Sequence, residues 1–114
     1  MLLYHDLSDR MELLPPDLFT QDIHCLYSPD LAYIAGDAYP DKDGYRQIFL
    51  YHAENMKHEQ LLRAWSDPIA SRDHRCDLHN RWRPDGKKLS FDSTHEGFRG
   101  VYLADLALSL DRLR

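Results

Sequence analysis

The chain has 114 residues, 43% of them hydrophobic and 29% charged, a length that suits one domain burying about 65% of its unfolded surface. That balance excludes a disordered chain, and a net charge of −5 excludes a general nucleic-acid binder, whose affinity needs a basic footprint. No apolar run reaches the length of a membrane span and no secretory leader is evident, so a cytoplasmic protein without a membrane partner is the expectation.

Taken in chain order, the sequence reads as short strands between turns. Leu3-Tyr-His5 and Glu12-Leu-Leu14 open it, before Pro15-Pro16 interrupts. Strands are predicted near residues 22–27, 33–37 and 47–52, and a fourth near 59–64. A short amphipathic helix over residues 54–65 competes with that fourth strand, since its residues favour helix and neither Gly nor Pro breaks them. Further on, a strand over 79–83 meets Pro84-Asp85-Gly86, where proline presets the backbone angle and glycine supplies positive φ for a tight reversal. Strands over 88–93 and 99–105 follow. The two cysteines, Cys25 and Cys76, form no disulfide framework and read as free thiols.

The chain repeats itself. His24-Cys-Leu-Tyr-Ser-Pro-Asp30 aligns with His79-Asn-Arg-Trp-Arg-Pro-Asp85 at an offset of 55, and Gly44-Tyr-Arg-Gln-Ile-Phe-Leu50 with Gly97-Phe-Arg-Gly-Val-Tyr-Leu103 at an offset of 53. A partial third copy precedes them, with Leu3-Tyr-His5 matching Leu50-Tyr-His52. Four-stranded units repeating every 45 to 55 residues or so describe the blades of a β-propeller. The predicted class is therefore all-β, with about two antiparallel blades. Residues 1–19 supply the end of one blade, 20–65 a complete blade and 66–114 most of another. Propellers close with roughly four to eight blades, so the expectation is a fragment or truncated copy of a larger ring, with uncovered faces that invite self-association or the remaining blades of a longer parent.

The pattern His-x-x-aromatic-x-Pro-Asp-Gly, followed by Phe91-Asp-Ser93, Glu96-Gly97 and Val101-Tyr-Leu-Ala-Asp-Leu106, resembles the TolB-like or WD40-like propeller repeat. More narrowly it is similar to the C-terminal blades of the oligogalacturonate lyase family. That resemblance implies a seven-bladed propeller, a cytoplasmic role in pectin breakdown by β-elimination, and a manganese ion held near the channel by histidines and a glutamine. His24 and His79 correspond to two of those ligands. Asp77 stands where the family has the first histidine of a His-x-His pair, and His74 where it has the glutamine, so two positions match and two are replaced by other residues able to bind metal. The family's catalytic histidine and arginine lie on earlier blades, and nothing in this sequence maps to them.

The residues support a metal site on their own terms. In a strand, Asp77 and His79 would share one face, His24 would hold the same place one unit earlier, and His74 would fold in from the loop. Three imidazoles and a carboxylate suit manganese, zinc or iron better than calcium. Residues 71–88 carry six basic groups against three acidic ones, and Arg81, Arg83 and Arg99 are candidates for gripping an anionic, oligogalacturonate-like oligosaccharide through bidentate pairing. Blander readings stand beside each of these. A histidine at a strand start is commonly a hydrogen-bonded structural residue, Asp77 would serve as a turn cap, and Asp37 and Asp92 would bond turn amides. Arg46 and Arg99, matched across the repeat, would bridge neighbouring units. The rival functions are a non-catalytic TolB-like binding module and a truncated, inactive fragment.

Overall fold

Three antiparallel sheets succeed one another along the chain in the computed structural model, which describes residues 1–66 and 75–114. Strands β1 (Leu2–Tyr4) and β2 (Met11–Leu13) make a two-stranded sheet. Four strands, β3 (Ile23–Tyr27), β4 (Tyr33–Ala38), β5 (Tyr45–His52) and β6 (His58–Trp65), pair in sequential order in the second sheet. The third holds β7 (Arg81–Trp82), β8 (Lys88–Ser93) and β9 (Gly100–Asp105), and the chain ends in helix α1 (Ala107–Leu113). Among the described residues no helix is long and apolar enough to cross a membrane.

Alternation along the second sheet decides the layering. Ile34 and Tyr51 face the first sheet, where they meet Leu14, Phe19 and Leu3. Tyr33, Ala35, Ile48 and Leu50 face the third sheet and pack on Leu78, Leu89 and Phe91. A register shift between Ile48 and Phe49 lies just ahead of Leu50 and Tyr51, which are both buried, one on each face. Each junction between sheets is thus a separate apolar core, and the second sheet belongs to both.

Residues 58–65 are strand, not the competing helix. Glu59, Gln60 and the two leucines have helical propensity, but β5 presents an open edge that takes a paired run from Tyr45↔Trp65 to Tyr51↔His58. Cross-strand pairing and burial override a propensity worth only tenths of a kcal/mol per residue. The preceding turn is fixed by His52, whose Nδ1 accepts the backbone N–H of Glu54 at 3.2 Å and of Asn55 at 3.3 Å.

The all-β expectation needs one correction, helix α1. Where the second unit continues from β5 into β6, the third leaves β9 and turns helical. Leu106, Leu110 and Leu113 recur at helical spacing, and Leu106 and Leu113 are buried in the core between the second and third sheets. Arg112 clamps the helix to β6 through Glu59, at 2.8 and 2.9 Å. The i, i+4, i+7 leucines were a visible signal; the strand-by-strand repeat masked it.

Candidate metal centre

At one end of the junction between the second and third sheets the apolar core gives way to charge. His24 on β3 and Asp37 on β4 are cross-strand partners, so their side chains share a face. That face is the one turned toward the third sheet. Arg46 on β5 projects from the same side as Ile48 and Leu50 and is 6% exposed. Across the gap runs the segment 75–80, which enters β7 and supplies Asp77 and His79.

Asp37 is the anchor. It is 2% exposed, and its Oδ2 accepts the backbone N–H of His79 at 3.0 Å. His24 Nδ1 lies 3.5 Å from Oδ2 and 3.2 Å from Oδ1. The second contact is close but misaligned, and among the described residues Asp37 Oδ1 has no hydrogen-bond partner. Asn80, next to His79, donates its amide to the Ala35 carbonyl at 3.3 Å, and its own buried Oδ1 finds no partner among the described residues. A buried polar atom left unpaired costs roughly 1–3 kcal/mol, and two of them adjoin His79.

Residues 75–80 are not a strand, which corrects the prediction for 79–83: only Arg81–Trp82 pairs with β8. Side-chain alternation therefore does not bring Asp77 and His79 together. His79 takes φ +43°, a left-handed conformation that costs an L-residue roughly 1–2 kcal/mol. Burial of Leu78, 1% exposed, and the bond from the His79 amide to Asp37 hold it there. The kink sets the His79 ring 4.6 Å from that of His24 and its Nε2 3.8 Å from Asp77 Oδ2.

One potential ligand atom from each of His24, Asp77 and His79 lies within 4.8 Å of the other two. Ligands around a zinc-sized ion stand about 3.3 Å apart for bonds near 2.1 Å, so modest inward rotation of the two half-exposed imidazoles would close the set. Asp37 behind His24 is the kind of carboxylate that orients a ligating imidazole. Two imidazoles and a carboxylate fit a borderline divalent cation. Asp77 is already occupied by guanidinium groups, however, with Arg46 Nη1 at 2.7 Å and Arg75 bonded through both Nε and Nη2 at 2.8 Å. Burial would raise the Asp77 pKa, but the Arg75 hydrogen bonds and the charges of Arg46, Arg75 and His24 outweigh it, and the carboxyl is held below its usual range. An incoming cation would displace Arg75, 43% exposed on its side chain, and not Arg46, which is 7% exposed.

No family model matches this chain, and no curated protein matches it.

The remaining predicted positions scatter. His74 lies outside the described residues. Arg81 lines a shallow cleft with His24, Leu26 and His79, but its guanidinium is paired with both oxygens of Asp92, at 2.9 and 3.3 Å. Arg83 contacts Asp85 at 3.3 Å, and Arg99 donates to the Arg75 carbonyl at 3.5 Å. Arg81 and Arg99 both bear on the Asp92 carboxylate, whereas Arg83 is held at its own turn by Asp85. Cys76 is buried and Cys25 exposed, both as free thiols. Sequence reasoning assigned Asp37 a turn-bonding role and missed Arg75. The signal for Asp37 was present in its strand pairing with His24, which brings a buried carboxylate to the imidazole. Arg46 bridges the second unit to the segment leading into the third, in keeping with its repeat position.

Proposed function

We propose that the chain consists of propeller-type blades carrying a divalent-metal site, formed by His24, Asp77 and His79, that engages the carboxylate of an anionic uronate-type sugar. The observation that carries this reading is the meeting of two repeat-equivalent imidazoles, 4.6 Å apart, over a shared carboxylate. Charge favours an anionic ligand. Asp37 and Asp77 are offset in part by buried Arg46, so a divalent cation in place of Arg75 leaves one positive charge, the complement of a single carboxylate. Manganese, zinc and iron all suit the donor set. When bound, such an ion would neutralise charge building on a uronate carboxylate as its neighbouring proton leaves, the requirement of β-elimination. His24 and His79 would hold the ion, Asp37 would fix the His24 ring, and Arg81, at the rim, would exchange Asp92 for ligand. No residue of this chain is assigned as the base, so its role in a lyase would be binding and not proton abstraction.

Metal content and calorimetric titration with manganese and zinc test the proposal. About one ion per chain is expected, with affinity down at least about tenfold in His24→Ala and His79→Ala; galacturonate oligomers should bind only to the loaded chain. A chain that holds no metal, with both variants indistinguishable from wild type, would remove the metal site and the lyase reading together. A second reading then leads, because Arg46 to Asp77 at 2.7 Å is also a clasp joining two units of a metal-free binding module.

A further inference from the structure

The repeat offers an internal standard for how each face should be covered. Ile48 and Leu50 on β5 correspond to Val101 and Leu103 on β9, at an offset of 53. The first pair is 0% exposed, sealed by the third sheet, whereas Val101 is 73% and Leu103 70% exposed. At the other end of the stack, Leu2 and Tyr4 correspond to Phe49 and Tyr51 at an offset of 47. Tyr51 is 3% exposed, while Leu2 is 67% and Tyr4 58% exposed. Leu2 pairs with Leu13 and Tyr4 with Met11 across the sheet, so these four exposed residues form one apolar face.

The chain already contains the contact that would cover both ends. Leu3, the counterpart of Leu50 and Leu103, packs with Tyr51 and Phe49, the counterparts of Tyr4 and Leu2. Stacking the β9 face of one copy on the β1–β2 face of another repeats the part of that junction made by Leu3 on Phe49 and Tyr51, with Leu103 set on Leu2 and Tyr4. Charge agrees with this pairing. Residues 1–30 carry six acidic groups and one basic group, and residues 75–114 eight basic and six acidic. On the β9 face, Arg81 and Lys88 are paired with Asp92 and Asp105, while Arg99, which among the described residues donates only to the Arg75 carbonyl at 3.5 Å, adds a second positive charge beside Asp92. At the opposite end, Asp6 accepts, among the described residues, only the neighbouring Leu7 backbone N–H.

We infer that this chain self-associates head to tail, with Val101 and Leu103 of one copy seated on Leu2, Tyr4, Met11 and Leu13 of a second. The interface is heterologous, and two copies supply six sheets, within the roughly four to eight that close a propeller ring. Two copies therefore form a closed dimer with two identical junctions.

Sedimentation velocity and complementation test this. Wild type should sediment at about 27 kDa, twice the 13.4 kDa chain, with the dimer weakened by salt. Val101→Glu/Leu103→Glu blocks one face and Leu2→Glu/Tyr4→Glu the other; all four positions are more than half exposed, and circular dichroism checks that each variant folds. Each variant alone should be monomeric, and an equimolar mixture should regain a 1:1 heterodimer through its one intact junction. A monomeric wild type at about 100 µM would overturn the proposal and leave these faces to other occupants. So would a dimer of the Leu2→Glu/Tyr4→Glu variant alone, which would show like faces pairing, or a mixture that stays monomeric.

Discussion

The turns at Pro29-Asp30-Leu31 and Pro84-Asp85-Gly86 occupy the same place in the second and third units, and the backbone treats them alike. Residue 31 has φ +63° and residue 86 φ +68°, and each turn is closed by a backbone bond of 2.9 Å, from the Leu31 amide to Ser28 and from the Gly86 amide to Arg83. Only one has the residue that this conformation favours. Glycine adopts it freely, whereas leucine carries a Cβ penalty. The aspartates that follow tell the opposite story. Asp37 and Asp92 are repeat-equivalent, yet Asp37 is 2% exposed and receives the amide of His79, while Asp92 keeps a partly exposed pair with Arg81. Local geometry follows the repeated sequence. The environment of each side chain follows whatever sheet is stacked upon it.

Adjacent residues on β5 offer the sharpest way to break this comparison. Leu50→Ala, in the core between the second and third sheets, should cost about 2–5 kcal/mol in denaturant unfolding. Tyr51→Ala, on the opposite face, should instead free residues 1–19 first, seen as lost amide-exchange protection there while β8 and β9 stay protected. If both substitutions deprotect the molecule uniformly, the two junctions are one cooperative unit.

Next in size is the contrast between the two aspartates. Asp37→Ala strands the His79 amide in a buried place and should cost roughly 2–3 kcal/mol, whereas Asp92→Ala breaks a partly exposed ion pair and should cost no more than about 1 kcal/mol. Equal losses would mean that burial is not what separates them.

A smaller, opposite effect is expected at the turns. Leu31→Gly removes a strained Cβ from a side chain that is 67% exposed and should stabilise by about 0.5–1 kcal/mol, while Gly86→Leu should destabilise by a similar amount. Thermal melts of the reciprocal pair check the sign.

The least effect concerns acid. Asp41 is held down to about 2, first by the Arg63 hydrogen bond and then by the backbone N–H of Tyr45. A depressed folded-state pKa contributes stability that is complete above the unfolded value near 4 and is lost as pH falls toward 2. Asp41→Asn should therefore lower stability slightly at pH 7, where the contribution is complete, and flatten the pH dependence of stability between about pH 4 and 2. Asp77, held low chiefly by the Arg75 hydrogen bonds against the effect of its burial, loses its contribution in the same direction.

Much of the strand pattern was legible because short alternating runs bounded by Pro, Asp and Gly leave the backbone few options. Two, four and three strands were readable in order, and so was the equivalence of His24 with His79, since both follow from spacing along one chain. Helix α1 was hidden because its leucines satisfy a helical period inside a segment whose repeat partner is strand. The centre was legible only in its membership. Asp77 and His79 were predicted as neighbours by strand alternation, but they meet because His79 sits at φ +43°. That strain is tolerated only where Leu78 is buried and Asp37 waits for the amide. The sequence by itself determined the turns, the alternation and the repeat, which are properties of a few consecutive residues. Tertiary structure alone decided which aspartate is buried, which arginine finds a partner and which apolar face stays bare, because each depends on the sheet that lies opposite.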